Sequence, residues 1–97
     1  MKRYSVCFTG KMSQPRGYLA ARAYERGQLP VPSVTKSTDL LVLADFSSVS
    51  AKARKARRYG TRLLTEAAWR AMPVDATPEE LEDYINMHMF AELLGDT

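Results

Sequence analysis

Leu40-Leu41-Val42-Leu43-Ala44, an unbroken apolar run closed by Thr38-Asp39 on one side and Asp45 on the other, decides how this chain folds. A half-wet strand or helix interrupts its apolar residues with polar ones. A short run without interruption is the pattern of a central parallel strand covered on both faces. Upstream, Tyr4-Ser5-Val6-Cys7-Phe8-Thr9 mixes β-branched and aromatic residues and stops at Gly10, which predicts a first strand. Between these strands the pattern predicts a helix, with Ser13 as its cap, Pro15 in its first turn, Leu19, Ala20 and Ala23 at helical spacing, and Gly27 as its stop. A short strand follows at Leu29 and Val31. Pro30 and Pro32 cannot donate to a ladder, so that strand belongs at a sheet edge.

Downstream of the run, Ser47, Ser48 or Ser50 can cap a helix over 51–59, in which Ala53 and Ala56 form a narrow stripe that lets the helix lie close to a sheet. Gly60 ends it, residues 62–64 read as a fourth strand, and 66–72 as a third helix carrying Trp69. Strands alternating with helices through short loops predict a parallel α/β layer with right-handed crossovers. Pro73 breaks the third helix, and Thr77-Pro78-Glu79-Glu80 is a capping box with proline at the first helical position. A fourth helix is expected from 78 to about 94, with Gly95 as its stop. Leu81, Tyr84, Ile85, His88 and Met89 fall on one stripe of it, while Met87, Phe90, Leu93 and Leu94 leave its last turns apolar on more than one side.

Ninety-seven residues, 45% of them hydrophobic, suffice for one modest core. The apolar runs are far too short to cross a bilayer, and no charged, apolar and small-residue cleavage pattern opens the chain, so a soluble, non-secreted protein of a bacterial or viral-host cytoplasm or a nucleus is expected, with no membrane partner. Cys7 is the single cysteine, which excludes an internal disulfide and a multi-thiolate zinc site. All fourteen Lys and Arg lie at or before Arg70, opposed there by four acids, so the first 72 residues carry +10; seven acids and no Lys or Arg follow from Pro73 onward. A basic body of this kind is the footprint of a polyanion binder. Its alternative is a solvated surface balanced in cis by the acidic tail, which could also fold over the basic face and compete with a ligand.

Val6-Cys7-Phe8-Thr9-Gly10, Val34-Thr35-Lys36-Ser37-Thr38-Asp39-Leu40-Leu41-Val42, Ser50-Ala51-Lys52-Ala53-Arg54-Lys55-Ala56 and the segment from Tyr59-Gly60 to Trp69 occur in a fixed order that resembles a BRCT domain over roughly residues 4 to 72. The branch it is most similar to is that of NAD-dependent DNA ligases and the replication factor C large subunit. The resemblance implies an α/β fold with a four-stranded parallel sheet in order 2-1-3-4 flanked by three helices, here with an extra C-terminal helix. It divides the chain into a BRCT-like domain at 1–74 and an acidic helical extension at 75–97. Thr9 and Gly10 match the hydroxyl-glycine pair that grips phosphate in the family, and Lys52 matches the lysine that completes the pocket. Arg16 matches an arginine used on DNA, although it follows Thr9-Gly10 one residue sooner than in the family and Pro15 replaces a polar residue. Trp69 matches the signature aromatic of the third helix, and Gly27 the first of a glycine pair whose second member is replaced by Gln28; Gly60 closes the second helix.

Physical chemistry supports the same positions. A phosphate needs converging backbone N–H groups and a nearby cation or hydroxyl without a competing carboxylate. Lys52, Arg54, Lys55, Arg57 and Arg58 spread cations over the second helix, which suits duplex phosphates; Lys11 and Lys36 are weaker backbone candidates. No recognition helix for base edges stands out, and DNA is not distinguished from RNA. The chain lacks a Lys-x-Asp-Gly adenylation motif, a Walker loop and any triad that the lone His88 could serve, so no catalytic residue, metal or cofactor is expected. The leading expectation is a non-catalytic module for 5′-phosphorylated DNA ends or nicks, either free-standing or part of a ligase. The alternative is a protein-interaction module that reads a phosphopeptide, or docks a repair or replication protein or a second copy through the terminal helix.

Overall fold

The structure, a computed structural model, describes residues 4–45, 50–73 and 75–94, with backbone alone at 78 and 92–94. Strands β1 (Tyr4–Thr9), β2 (Gln28–Pro30), β3 (Leu40–Leu43) and β4 (Arg62–Thr65) form one parallel sheet in the order β2-β1-β3-β4. This is the order implied by the resemblance, and it puts the proline-flanked strand at an edge. The apolar run is central: Val6↔Leu40 through Thr9↔Leu43 pair on one side, and Leu40↔Arg62 through Leu43↔Thr65 on the other. All four residues of β3 are fully buried, because helices cover both faces.

Strand alternation sorts the core into two halves. Val6, Phe8, Leu40, Val42 and Leu64 point to the face covered by α1 (Arg16–Glu25), through Leu19 and Ala23, and by α3 (Glu66–Arg70), through Trp69. Cys7, Leu41, Leu43 and Leu63 point to the face covered by α2 (Ala51–Tyr59), whose Ala53 and Ala56 pack with no exposed area. Gly60 ends α2 at φ +74°, a left-handed geometry that a side chain would strain, and the Thr61 N–H returns to the Ala56 carbonyl at 2.9 Å.

Helix α4 (Pro78–Leu94) begins with the expected reciprocal cap: the Thr77 N–H donates to Glu80 at 2.8 Å, and the Glu80 N–H to the Thr77 hydroxyl at 3.2 Å. It runs along β4, the second edge of the sheet. Ile85 is fully buried in the α1/α3 half of the core, and the Leu63 N–H donates to Met89 Sδ at 3.4 Å. Arg62 forms an ion pair with Glu82, and Tyr4 donates to the same carboxylate at 3.5 Å. The helix therefore covers an edge that would otherwise present unpaired backbone, with its acidic residue Glu82 neutralised at that edge.

Two expectations for α1 are corrected. Ser13 does not cap α1; Pro15 is the residue before the first turn, no side chain caps it, and Ser13 instead bonds Glu66 of α3. Of the three serines before α2, Ser50 is its cap, accepting from the Ala53 N–H at 3.1 Å; Ser47 and Ser48 lie outside the described residues, as do Gly95 and the side chains of Leu93 and Leu94.

Candidate functional site

The carboxyl end of β1 lies where the amino ends of α1 and α2 converge. Phe8 supplies the carbonyl at their meeting point. Arg16, the first residue of α1, donates through Nη1 to the Phe8 carbonyl at 3.1 Å and through Nη2 to the Gly10 carbonyl at 2.9 Å. Lys52, the second residue of α2, donates through Nζ to the same Phe8 carbonyl at 3.3 Å. Two cations thus share one neutral acceptor, and among the described residues no carboxylate forms an ion pair with either.

Thr9 is nearly buried, and its hydroxyl lies 3.1 Å from that of Ser50. Because Ser50 Oγ also accepts the Ala53 N–H, this pair pins the amino end of α2 to the end of β1. When Ser50 is the donor, the Thr9 hydroxyl keeps its hydrogen for an external acceptor. Gly10 has φ +90°, and a Cβ there would meet Ala44 Cβ at 3.3 Å, so both conformation and space require glycine. The first amides of α2 have no intrahelical partner, and its dipole adds positive potential at the same place. Beside the cations opens a cleft of about 440 Å³ with an apolar wall of Ala20, Pro30, Val31 and Pro32. Arg16 and Lys52 line its rim. The arrangement can hold an anionic oxygen group next to an apolar body.

Of the residues singled out in the sequence, Thr9, Gly10, Arg16 and Lys52 come together. Lys11 follows Gly10 in the exposed loop before α1. Arg54, Lys55, Arg57 and Arg58 are exposed on α2, the last two in its final turn, where cations also favour the helix dipole. Lys36 is elsewhere: its neighbour Ser37 accepts from the Ser5 hydroxyl, four residues and about 13 Å before Thr9 along β1. Trp69 packs edge-on against Phe8 with centroids 5.1 Å apart, and Gly27 takes φ +75° after α1. Burial raises the Cys7 thiol pKa even though Lys52 and Arg16 act in the opposite direction, which keeps the thiol protonated and unreactive. Among the described residues no group of three His, Cys, Asp or Glu could hold a metal ion, and no helix is long and apolar enough to cross a membrane.

Sequence reasoning missed the group that braces the loop between β1 and α1. Glu66, buried at the start of α3, accepts from the Ser13 N–H at 3.0 Å and from the Ser13 hydroxyl, and Arg70 donates to that hydroxyl at 3.3 Å. The position of Ser13 near a helix start is an equally good capping signal, so nothing local separates the two uses.

No known protein-family profile matches the chain. The chain is similar to a DNA ligase of Sorangium cellulosum (strain So ce56), with 50% identity over 62 residues, a stretch that is 64% of this chain and 9% of the ligase. It therefore spans less than a tenth of the length of the curated relative it matches.

Proposed function

We propose that this chain is a non-catalytic BRCT module that binds DNA at a 5′-phosphorylated end or nick and serves a DNA ligase in replication or repair. The observation that carries this reading is the convergence of Arg16 and Lys52 on the Phe8 carbonyl, beside Gly10 and the Thr9–Ser50 hydroxyl pair, with no carboxylate among the described residues to neutralise them. An arriving phosphate replaces a neutral carbonyl acceptor with a charged one, so bonds in which only the donor is ionised become ion-paired hydrogen bonds. The apolar wall of Pro30, Val31 and Pro32 then receives the terminal sugar. Lys11, Arg54, Lys55, Arg57 and Arg58 hold neighbouring backbone, and Lys36 is too distant for the terminal group. The similarity to a segment of a DNA ligase supports DNA over a phosphopeptide. In this reading residues 1–74 are the module and 75–97 an extension that seals the β4 edge.

A second reading, protein docking through α4, is favoured by Met87 and Phe90, which are 68% and 64% exposed. The experiment that tests the leading reading is equilibrium binding to a recessed or nicked duplex ending in 5′-phosphate or 5′-hydroxyl at two salt concentrations. A preference for phosphate of about tenfold, roughly 1.4 kcal/mol, that survives added salt is expected. Equal affinity that collapses with salt would reduce the surface to a general cationic one, and absence of binding would transfer the function to α4.

A further inference from the structure

A second basic groove opens on the face between α1 and α3, about 460 Å³ in volume and lined by Tyr18, Arg22 and Arg26 from α1 and by Trp69 and Arg70 from the α3 side. Its three cations are all arginines. Arg26 is held over the Trp69 ring at 4.9 Å and donates to the carbonyls of Trp69 and Arg70, which terminate α3. Burial and, after it, the neighbouring Arg22 lower the Arg26 pKa, with Tyr84 acting in the opposite direction. Among the described residues Arg22 pairs with exposed Glu25 at 3.4 Å, and no carboxylate pairs with Arg26 or Arg70. An exposed ion pair of this kind is worth little and yields readily to a stronger anion.

Continuity with the first site identifies the ligand. Arg70 donates to Ser13, three residues past Gly10, so one arginine of the groove touches the loop that leads to Arg16. Along α1, Arg22 and Arg26 lie about 9 and 15 Å beyond Arg16. One strand of DNA presents a phosphate roughly every 3.4 Å of axis, so that distance matches several phosphate steps. We propose that the groove of Arg22, Arg26 and Arg70 is a second nucleic-acid contact, taking the phosphodiester backbone of the duplex several nucleotides beyond the end held by Arg16 and Lys52. This rests on the end-binding reading and adds to it a defined path across the α1/α3 face.

The test uses the double variant R22Q/R70Q in the full chain, leaving Arg26 in place because it packs on Trp69; circular dichroism and a thermal melt verify folding. Anisotropy titrations compare a duplex of about 16 base pairs with a hairpin of about six that carries the same 5′-phosphate end, between ~50 and ~200 mM salt. On the long duplex the variant is expected to lose about tenfold in affinity, and its log K against log salt slope to become shallower by about 2. On the short hairpin, affinity and the preference for phosphate over hydroxyl stay at the wild-type level, because Glu66 still holds Ser13 and its loop when Arg70 is replaced. Equal losses on both lengths would mean that the arginines act through the first site, and unchanged binding on both would remove DNA from the groove; either overturns the proposal. So does intact duplex binding accompanied by lost affinity for a Glu-rich decapeptide. A wild-type chain indifferent to the terminal phosphate but sensitive to duplex length, with the length effect lost in R22Q/R70Q, refutes the end-binding reading and leaves the groove standing. Absence of duplex binding by the wild type overturns both.

Discussion

Gln28 shows at the scale of one residue how a departure from a motif is put to use. Where the resembling family has glycine, this chain has an almost fully buried amide whose oxygen accepts the Trp69 indole N–H at 3.0 Å. Replacing it by leucine, Gln28→Leu, leaves that donor buried and unpaired and is expected to cost about 1–3 kcal/mol; a urea melt with an unchanged midpoint would show that the bond contributes nothing. Lys52 is the residue whose chemistry is most exposed to test. Lys52→Ala is expected to reduce the affinity for a 5′-phosphorylated end by about tenfold while leaving the 5′-hydroxyl end within about twofold, because the charge-assisted bond is made to the terminal group. Parallel losses on both ends, measured by the same titration, would reduce Lys52 to a general cationic contact. Lys52, like Thr9 and Gly10, stood out before folding as a candidate because it combines a residue type with a fixed place beside a strand end or helix start. Gln28 did not, since a polar residue after a helix-ending glycine is ordinarily solvated.

Among the elements, α4 carries the plainest local instruction. Its capping box forms as written, and the hydrogen bonds that Glu80 accepts from Thr77 lower its carboxyl pKa below the ordinary glutamate value. A carboxylate whose folded pKa is depressed contributes stability that is present above its unfolded pKa and is lost as pH falls through the folded one. The melting-temperature difference between wild type and Glu80→Ala should therefore hold from about pH 7 to pH 6 and shrink toward zero by about pH 3. A difference independent of pH would sink the ionic account of this cap. Helix α1 shows the opposite case: its sequence offers Ser13 as a cap, yet Glu66 claims that serine from another part of the chain. The gain is positional, since the same contact fixes the loop from which Arg16 turns back onto β1.

For the whole molecule, the decisive fact is that α4 belongs to the fold it follows. Ile85 is buried with Leu19, Val42, Leu64 and Trp69, and Met89 meets both halves of the core. Ile85→Ala is expected to destabilise the entire domain by about 2–5 kcal/mol, read as a single cooperative shift in chemical denaturation followed by Trp69 fluorescence. A biphasic curve with an unshifted main transition would instead make α4 a separable appendage. The sequence alone determined the sheet and its order of burial, because an uninterrupted apolar run can be solvated on neither face and prolines cannot serve a central ladder. It also marked Thr9, Gly10 and Lys52, whose residue types are informative next to a predicted strand end and helix start. Only the tertiary structure decided that Arg16 and Lys52 share the Phe8 carbonyl, that Ser50 locks Thr9, that Lys36 lies at the far end of the sheet, and that arginines from two helices make a groove. The physical reason is reach: periodicity and caps act over a few residues, whereas Lys52 meets Phe8 across 44 positions and Ser50 meets Thr9 across 41, once the crossovers bring their helices to the sheet.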